Sequence, residues 1–303
     1  MVWANGRSRQ PDLPGPIVGT SAAIVERTGP SHMLKRSSAA VALVTGCSSG
    51  IGRAICDRLA AGGTTVYGGS RTSCAAPQWS HLPLDVTDQS SVDAAVADVL
   101  RRESRLDALV ACAGIGLAGS LEDTEDDEAK RHFDTNFFGT ARMIRATLPA
   151  MRKQSSGKVI VIGSIGGLIG LPFVPYYSAS KFALDGLVEA LRGEVAPFGI
   201  QATIVHPGDL NTGFGANRVF GRNVGATSAY QDRFQDTLQF YAAQESSAAS
   251  PQALARKVEK LLSKRVLPAR VIVGTALEML GVSGKRYLPR RSFEYLLRKA
   301  YAP

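Results

Sequence analysis

An apolar run, Val41-Ala42-Leu43-Val44-Thr45, leads into Gly46-Cys47-Ser48-Ser49-Gly50-Ile51-Gly52, and the chain then continues with Ile51, Ile55 and Leu59 at helical spacing. A short run that is apolar throughout predicts a strand buried on both faces. Three glycines joining such a strand to a helix let the backbone approach a large anion such as a pyrophosphate, at the positive end of the helix dipole. The same alternation recurs downstream. Further strands are predicted at 64–68, 81–84, 106–111, 158–162 and 200–205, and helices at 50–61, 89–101, 125–152 and 176–196. Strands and helices in strict alternation build βαβ units, hence an α/β fold with a parallel sheet covered by helices on both faces.

That pattern predicts a single doubly wound domain of the Rossmann type over residues 39–275. Residues 1–38, rich in Gly, Pro, Ser and Arg, read as a disordered extension, although Met33 just ahead of the first strand equally fits a start codon assigned upstream. After Pro207-Gly208 the composition turns to Asn, Gly, Gln, Ala and Ser, so 209–248 is expected to be a mobile substrate lid. Its aromatic residues, Phe214, Phe220 and Tyr230 among them, suit substrate contacts or the core of a helical insertion. A helix at 251–262 and a short strand at 271–273 follow, and 276–303 is expected as a basic helical extension, with an amphipathic helix near 293–300.

Charge and the metal-binding residue types exclude some functions. The net charge of +9 is concentrated late in the chain, where twelve Lys and Arg from Arg256 onward face Glu259, Glu278 and Glu294. Apolar residues at helical spacing interrupt these cations, which favours a solvated basic surface over a patch for an anionic membrane or an acidic partner. No nucleic-acid motif is present. The four cysteines form no Cys-x-x-Cys pair and the four histidines are scattered, so no metal site and no disulfide framework is expected, and the compartment is taken as cytoplasmic.

Tyr177 and Lys181 lie four residues apart on a predicted helix and share one face. A free tyrosine titrates at about 10, and a nearby ammonium lowers that value, so such a pair can pass a proton to or from a substrate oxygen. Ser164 follows the fifth strand, at the carboxyl end of the sheet, where open parallel sheets bind their ligands. Asn136 sits inside the long helix predicted at 125–152.

The run Thr-Gly-x3-Gly-x-Gly at Thr45–Gly52, followed by Asn136, Ser164 and Tyr177-x3-Lys181, resembles the short-chain dehydrogenase/reductase family over about 40–275. With Ser70-Arg71 after the second strand, it is most similar to the branch holding 17β-hydroxysteroid and retinol dehydrogenases and bacterial ketoreductases. The resemblance implies hydride transfer between a nicotinamide and a carbonyl or secondary alcohol. Ser164 would position the oxygen, Tyr177 exchange the proton, Lys181 hold the ribose, and the Asn136 carboxamide support a relay water. It further implies dinucleotide contacts from Gly46, Ser48, Ser49, Gly50, Ile51 and Gly52 in the glycine turn. Others would come from Asp85, Val86, Ala113 and Gly114 on the adenosine side, and from Pro207, Gly208 and Thr212 beside the nicotinamide. A guanidinium at Arg71, where an NAD site offers a carboxylate, argues for NADP(H).

Two departures stand out. Ser49 occupies a position that is often basic in NADP sites, and Ala111-Cys112 replaces a common Asn-Asn. The sequence thus predicts an NADP(H)-dependent ketoreductase for a bulky apolar small molecule. It would form a homodimer or homotetramer through 125–152 and 176–196. A non-catalytic dinucleotide sensor or scaffold, a sugar-nucleotide epimerase or dehydratase, and a lipid-surface enzyme anchored by the basic tail are the rivals.

Overall fold

A computed structural model describes residues 39–74 and 77–301; the extension predicted at 1–38 lies outside the described residues. Seven strands form one parallel sheet in the order β3-β2-β1-β4-β6-β7-β9. They are β1 (Val41–Thr45), β2 (Thr65–Ser70), β3 (Ser80–Pro83), β4 (Ala108–Ala111), β6 (Gly157–Ile162), β7 (Ile200–Pro207) and β9 (Arg270–Val273). The order reverses between β1 and β4, and the crevice above that switch point is where a sheet of this kind binds ligands.

Alternation along each strand divides the core in two. Val41 and Leu43 of β1 belong to one apolar cluster, Ala42 and Val44 to the other. The first cluster is closed by Val92 and Val99 of α2 (Gln89–Glu103), Met143 of α4 (Gly139–Gln154) and Leu184 and Val188 of α5 (Pro175–Val195). The second is closed by Ile55 and Leu59 of α1 (Gly50–Ala61) and by Leu254, Val258 and Leu261 of α7 (Pro251–Leu262). Arg58 of α1 and Glu259 of α7 join those helices at 2.7 Å.

The helix expected over 125–152 is divided. It runs as α3 (Asp126–Phe133), a π-helical turn at Asp134–Phe138, and α4. The Gly139 N–H reaches back five residues to the Asp134 carbonyl. Arg142 holds the widened turn from outside, through the Asp134 carboxylate at 2.7 Å and the Val86 carbonyl at 3.2 Å. Such a bulge re-aims side chains without ending the helix, and the side chain it turns inward is Asn136, 1% exposed.

The segment 209–248, expected as a lid with a helical insertion, contains one short strand and one long helix. Its β8 (Val219–Phe220) pairs in parallel with β5 (Leu117–Ala118), and α6 (Gln231–Ser247) buries Phe234, Thr237 and Tyr241. The tail contains two helices, α8 (Ala276–Tyr287) and α9 (Arg290–Tyr301).

Two glycines make the β1–α1 turn possible. Gly46 has φ +74, and Gly52 lies so close to the Gly46 carbonyl that a Cβ there would overlap its oxygen. We expect Gly52→Ala to cost about 3 kcal/mol in chemical denaturation, as overpacking against backbone does. Gly186→Ala, with open space around it in α5, should instead raise stability by about 0.5–1 kcal/mol.

Candidate active site

A cleft of about 720 Å³ opens over the switch point, lined by Gly46 and Ser48 to Gly52 on one side and by Ser164, Tyr177 and Lys181 on the other. Thr45 ties its floor together, its hydroxyl accepting the N–H groups of Cys112 at 3.0 Å and Ala113 at 2.9 Å. Ser48 and Ser49 are exposed, and Ser49 makes no side-chain cap to α1. Polar backbone at a helix N-terminus thus faces an open space, which suits a pyrophosphate.

Arg71 is exposed at the edge of the cleft and forms no ion pair among the described residues. Pro207, Gly208 and Thr212 line the far end, and Gly114, Asn136 and Phe214 the middle. Other residues expected at the site do not line it. The Ser70 hydroxyl is turned into the protein, donating to the Thr72 carbonyl at 2.8 Å. The Asp85 carboxylate accepts from the Thr87 N–H and hydroxyl, contacts that, with the Arg71 and Arg142 charges, hold its pKa below the ordinary range against burial. Val86 and Ala113 pack behind the cleft in the apolar layer. Phe220 stacks edge-on against Phe234 at 6.1 Å, and Tyr230 hydrogen-bonds Glu122 at the surface.

At the centre, α5 lays Tyr177 and Lys181 across the end of β6. The Lys181 ammonium is buried, and burial lowers its pKa to about 8; it donates to the Ile162 carbonyl at 3.0 Å. The Lys181 charge was expected to lower the tyrosine pKa, yet the net shift is upward. Burial is the largest cause, the nearby Ser164 side chain and the Arg218 charge oppose it, and Asp209 and Glu245 add to it. The Lys181 nitrogen lies 5.8 Å from the centre of the phenol ring. Burial therefore favours the neutral phenol at Tyr177.

Asn136 does not point its carboxamide at free space. The carboxamide oxygen accepts the Ile115 N–H at 2.8 Å and its nitrogen donates to the Ile115 carbonyl at 3.0 Å, which fixes the loop after β4. The remaining N–H lies 3.0 Å from His132 Nε2.

Several site residues escaped the sequence reading. His132 sits one helical turn before Asn136, buried, with Nδ1 unpartnered among the described residues. Burial, with the Lys181 charge, pushes its pKa down to about 4. The i, i+4 spacing of His132 and Asn136 was the available signal. Arg218 and Glu245, paired at 2.6 Å across 27 residues, had none. Asp209 lines the cleft, and burial, with Glu278 and Glu245, raises its pKa to about 6. Cys47, Cys74 and His81, scattered in sequence, bring three ligand-type atoms within 4.8 Å of one another. The Ser70 hydroxyl satisfies two of them, Cys47 Sγ at 3.3 Å and His81 Nε2 at 3.0 Å.

With the geometry in place, residues 40–221 match the family described as short chain dehydrogenase. A 3-ketodihydrosphingosine reductase of Bacteroides thetaiotaomicron is 39% identical over 263 residues, 86% of this chain and 98% of that protein. The human 17-beta-hydroxysteroid dehydrogenase type 1 is 42% identical over 191 residues, 57% of this chain and 58% of that protein. A solved short-chain dehydrogenase from Streptomyces avermitilis superimposes with a TM-score of 0.75 at 36% identity, over 86% of this chain and 96% of that one.

The buried histidine makes a prediction. The unfolded chain protonates His132 below about 6.5, but the native site resists until about 4, so the unfolded state holds more protons across that window. Stability is therefore lost as pH falls through it, by about 3 kcal/mol. Asp209, raised to about 6, acts with the opposite sign, so the comparison must be with a variant. Denaturation of His132→Gln should show a smaller loss than the parent between these pH values; parallel curves would mean that His132 is not held neutral.

Proposed function

The chain belongs to the short-chain dehydrogenase family of oxidoreductases, and we propose that it reduces, with NADPH, a ketone borne on a long apolar chain with a polar head. The observation that carries this reading is the meeting of Ser164, Tyr177 and the buried Lys181 ammonium in the wall of one cleft that the glycine turn also lines. A bound nicotinamide would supply hydride to the carbonyl carbon. Ser164 then holds the carbonyl oxygen, and Tyr177 gives it the phenol proton as charge develops there. Once Tyr177 has lost its proton, the Lys181 ammonium, 5.8 Å from the ring centre, stabilises the tyrosinate.

The cofactor side supports NADP(H). Arg71 supplies an exposed guanidinium at the end of β2, and no carboxylate pairs with it among the described residues. The substrate side supports a chain-like ketone. Leu171, Val174, Phe214 and Tyr241 give the cleft beyond Tyr177 an apolar wall, while Asp209, Glu245 and Arg218 gather charge near its end. The 3-ketodihydrosphingosine in the name of the bacterial relative is a ketone of this class, and that relative matches along nearly its whole length. We place the enzyme in the cytoplasm, as a homodimer or homotetramer paired through α4 and α5; no described helix is long and apolar enough to cross a membrane.

Two substitutions test the reading. Tyr177→Phe should lower kcat by about 10²–10⁴-fold while NADPH still quenches protein fluorescence with nearly unchanged affinity; substantial residual turnover sinks the acid role. Arg71→Ala should weaken NADPH by about tenfold or more and leave NADH almost unaffected, and equal losses refute the cofactor assignment. NADPH oxidation across long-chain, steroid, retinoid and aromatic ketones should favour the long-chain class, and a preference for steroids would overturn it.

A further inference from the structure

No residue of either tail helix, α8 or α9, is fully buried. Their exposed side chains are large and apolar. Leu277 is 78% exposed, Leu280 68% and Tyr287 77%, and these three lie within one face of α8. On α9, Tyr295 and Leu296 stand out at 52% and 53%. The other side of α9 is anchored, since Tyr301 packs against Phe240 at 5.2 Å and Tyr241 at 5.8 Å. The outward residues are therefore displayed by a docked element.

Cations surround them. Across residues 276–301, Arg286, Arg290, Arg291, Arg298 and Lys299 are exposed against only Glu278 and Glu294, while Lys285 turns back onto the Leu168 carbonyl at 2.6 Å and the Phe182 ring. Both carboxylates are already engaged. Glu278 turns inward onto the Asp209 N–H at 2.7 Å, and Glu294 pairs with Arg290 at 2.7 Å. Arg286 and Lys299 lie over the rings of Tyr287 and Tyr295, at 5.7 and 5.8 Å.

We propose that the outer face of α8 and α9 docks on an anionic lipid bilayer, with leucines and tyrosines entering the headgroup layer and the cations at its phosphates. Leu and Tyr interleaved with Arg and Lys are the side chains that settle at that boundary, because long cationic stems cover apolar surface while their heads stay at the phosphates. A protein interface would place its cations at a rim around an apolar centre, and a second copy would press like charges together. The position adds a reason. Tyr241 and Asp209 line the cleft, and each is held by a tail helix, through Tyr301 and Glu278. Docking the outer face would leave one helix between the bilayer, where a long-chain ketone would reside, and these two residues of the cleft wall. The docking itself does not rest on the substrate assignment, and it is tested separately.

The full chain should be pelleted with vesicles of phosphatidylcholine alone and of phosphatidylcholine with phosphatidylglycerol. Binding should require the anionic lipid and weaken steeply as salt is raised. Arg291→Gln with Arg298→Gln should lower it by about fivefold per lost cation. Leu277→Ser, Leu280→Ser and Leu296→Ser together should lower it by about tenfold or more, with unchanged far-UV circular dichroism and unchanged turnover of a water-soluble ketone. Absence of pelleting with anionic vesicles overturns the proposal. So does full binding by the leucine variant, or a leucine variant whose effect is to split a dimer in ultracentrifugation. Should the leucine variant fail to fold, the arginine pair decides alone, since undiminished binding without those cations refutes the charge on which the proposal stands.

Discussion

The site depends on a buried ammonium. Lys181 sits within the protein with the Ile162 carbonyl as its acceptor, and its lowered pKa records how poorly that surrounding solvates a charge. A cation is tolerated there because α5 crosses the end of β6 so closely. Gly167, in the turn after Ser164, has no side chain, and a Cβ would come within 2.8 Å of the Lys181 backbone carbonyl carbon. That approach fixes where Lys181, Tyr177 and Ser164 stand relative to one another. His206 fastens the same turn from beneath, with Nδ1 2.7 Å from the Ser164 carbonyl oxygen and Nε2 2.9 Å from Asp185. The charge also reaches sideways, since it helps keep His132 neutral. A neutral His132 Nε2 can accept from Asn136, and Asn136 holds Ile115 on the opposite wall of the cleft.

What was legible in the sequence follows from which forces are local. The strands of the sheet are buried on both faces, so their apolar runs stand out without tertiary knowledge, and α1 and α7 were delimited to the residue because Gly62 and Pro251 mark their ends. Tyr177 and Lys181 stood out by their four-residue spacing on a helix and Ser164 by following the fifth predicted strand, while the role expected of Asn136 came only from the family resemblance. The π turn could not be found, because it preserves the helical run of apolar positions and is set by Arg142 reaching Asp134 and Val86. Helix α6 was hidden for another reason: in Gln231–Ser247 only Phe234, Thr237 and Tyr241 are buried, too few to raise a periodic signal above its Gln and Ala. Ser70 and Asp85 show the limit of residue-type reasoning. Ser70 donates to the Thr72 carbonyl, and one carboxylate oxygen of Asp85 takes both Thr87 donors, local contacts that the residue types alone do not reveal.

The cleft and the tail touch through Tyr241 and Tyr301, and through one carboxylate, Glu278. Glu278 accepts the Asp209 N–H through one oxygen and the Thr275 N–H, at 2.6 Å, through the other. It thereby caps α8 and pins the segment that follows β7. The space above Gly208 is filled by that same carboxylate, so a side chain at 208 would collide with it. Its charge also helps to raise the Asp209 pKa, and Asp209 in turn raises that of Tyr177. The electrostatics at Tyr177 are therefore set partly by where α8 begins. A surface that holds α8 in place also holds Glu278 against Asp209, and so steadies the wall of the cleft nearest the tail. The basic tail, which in the sequence alone looks like an appendage to a complete α/β domain, is by this contact a part of the site.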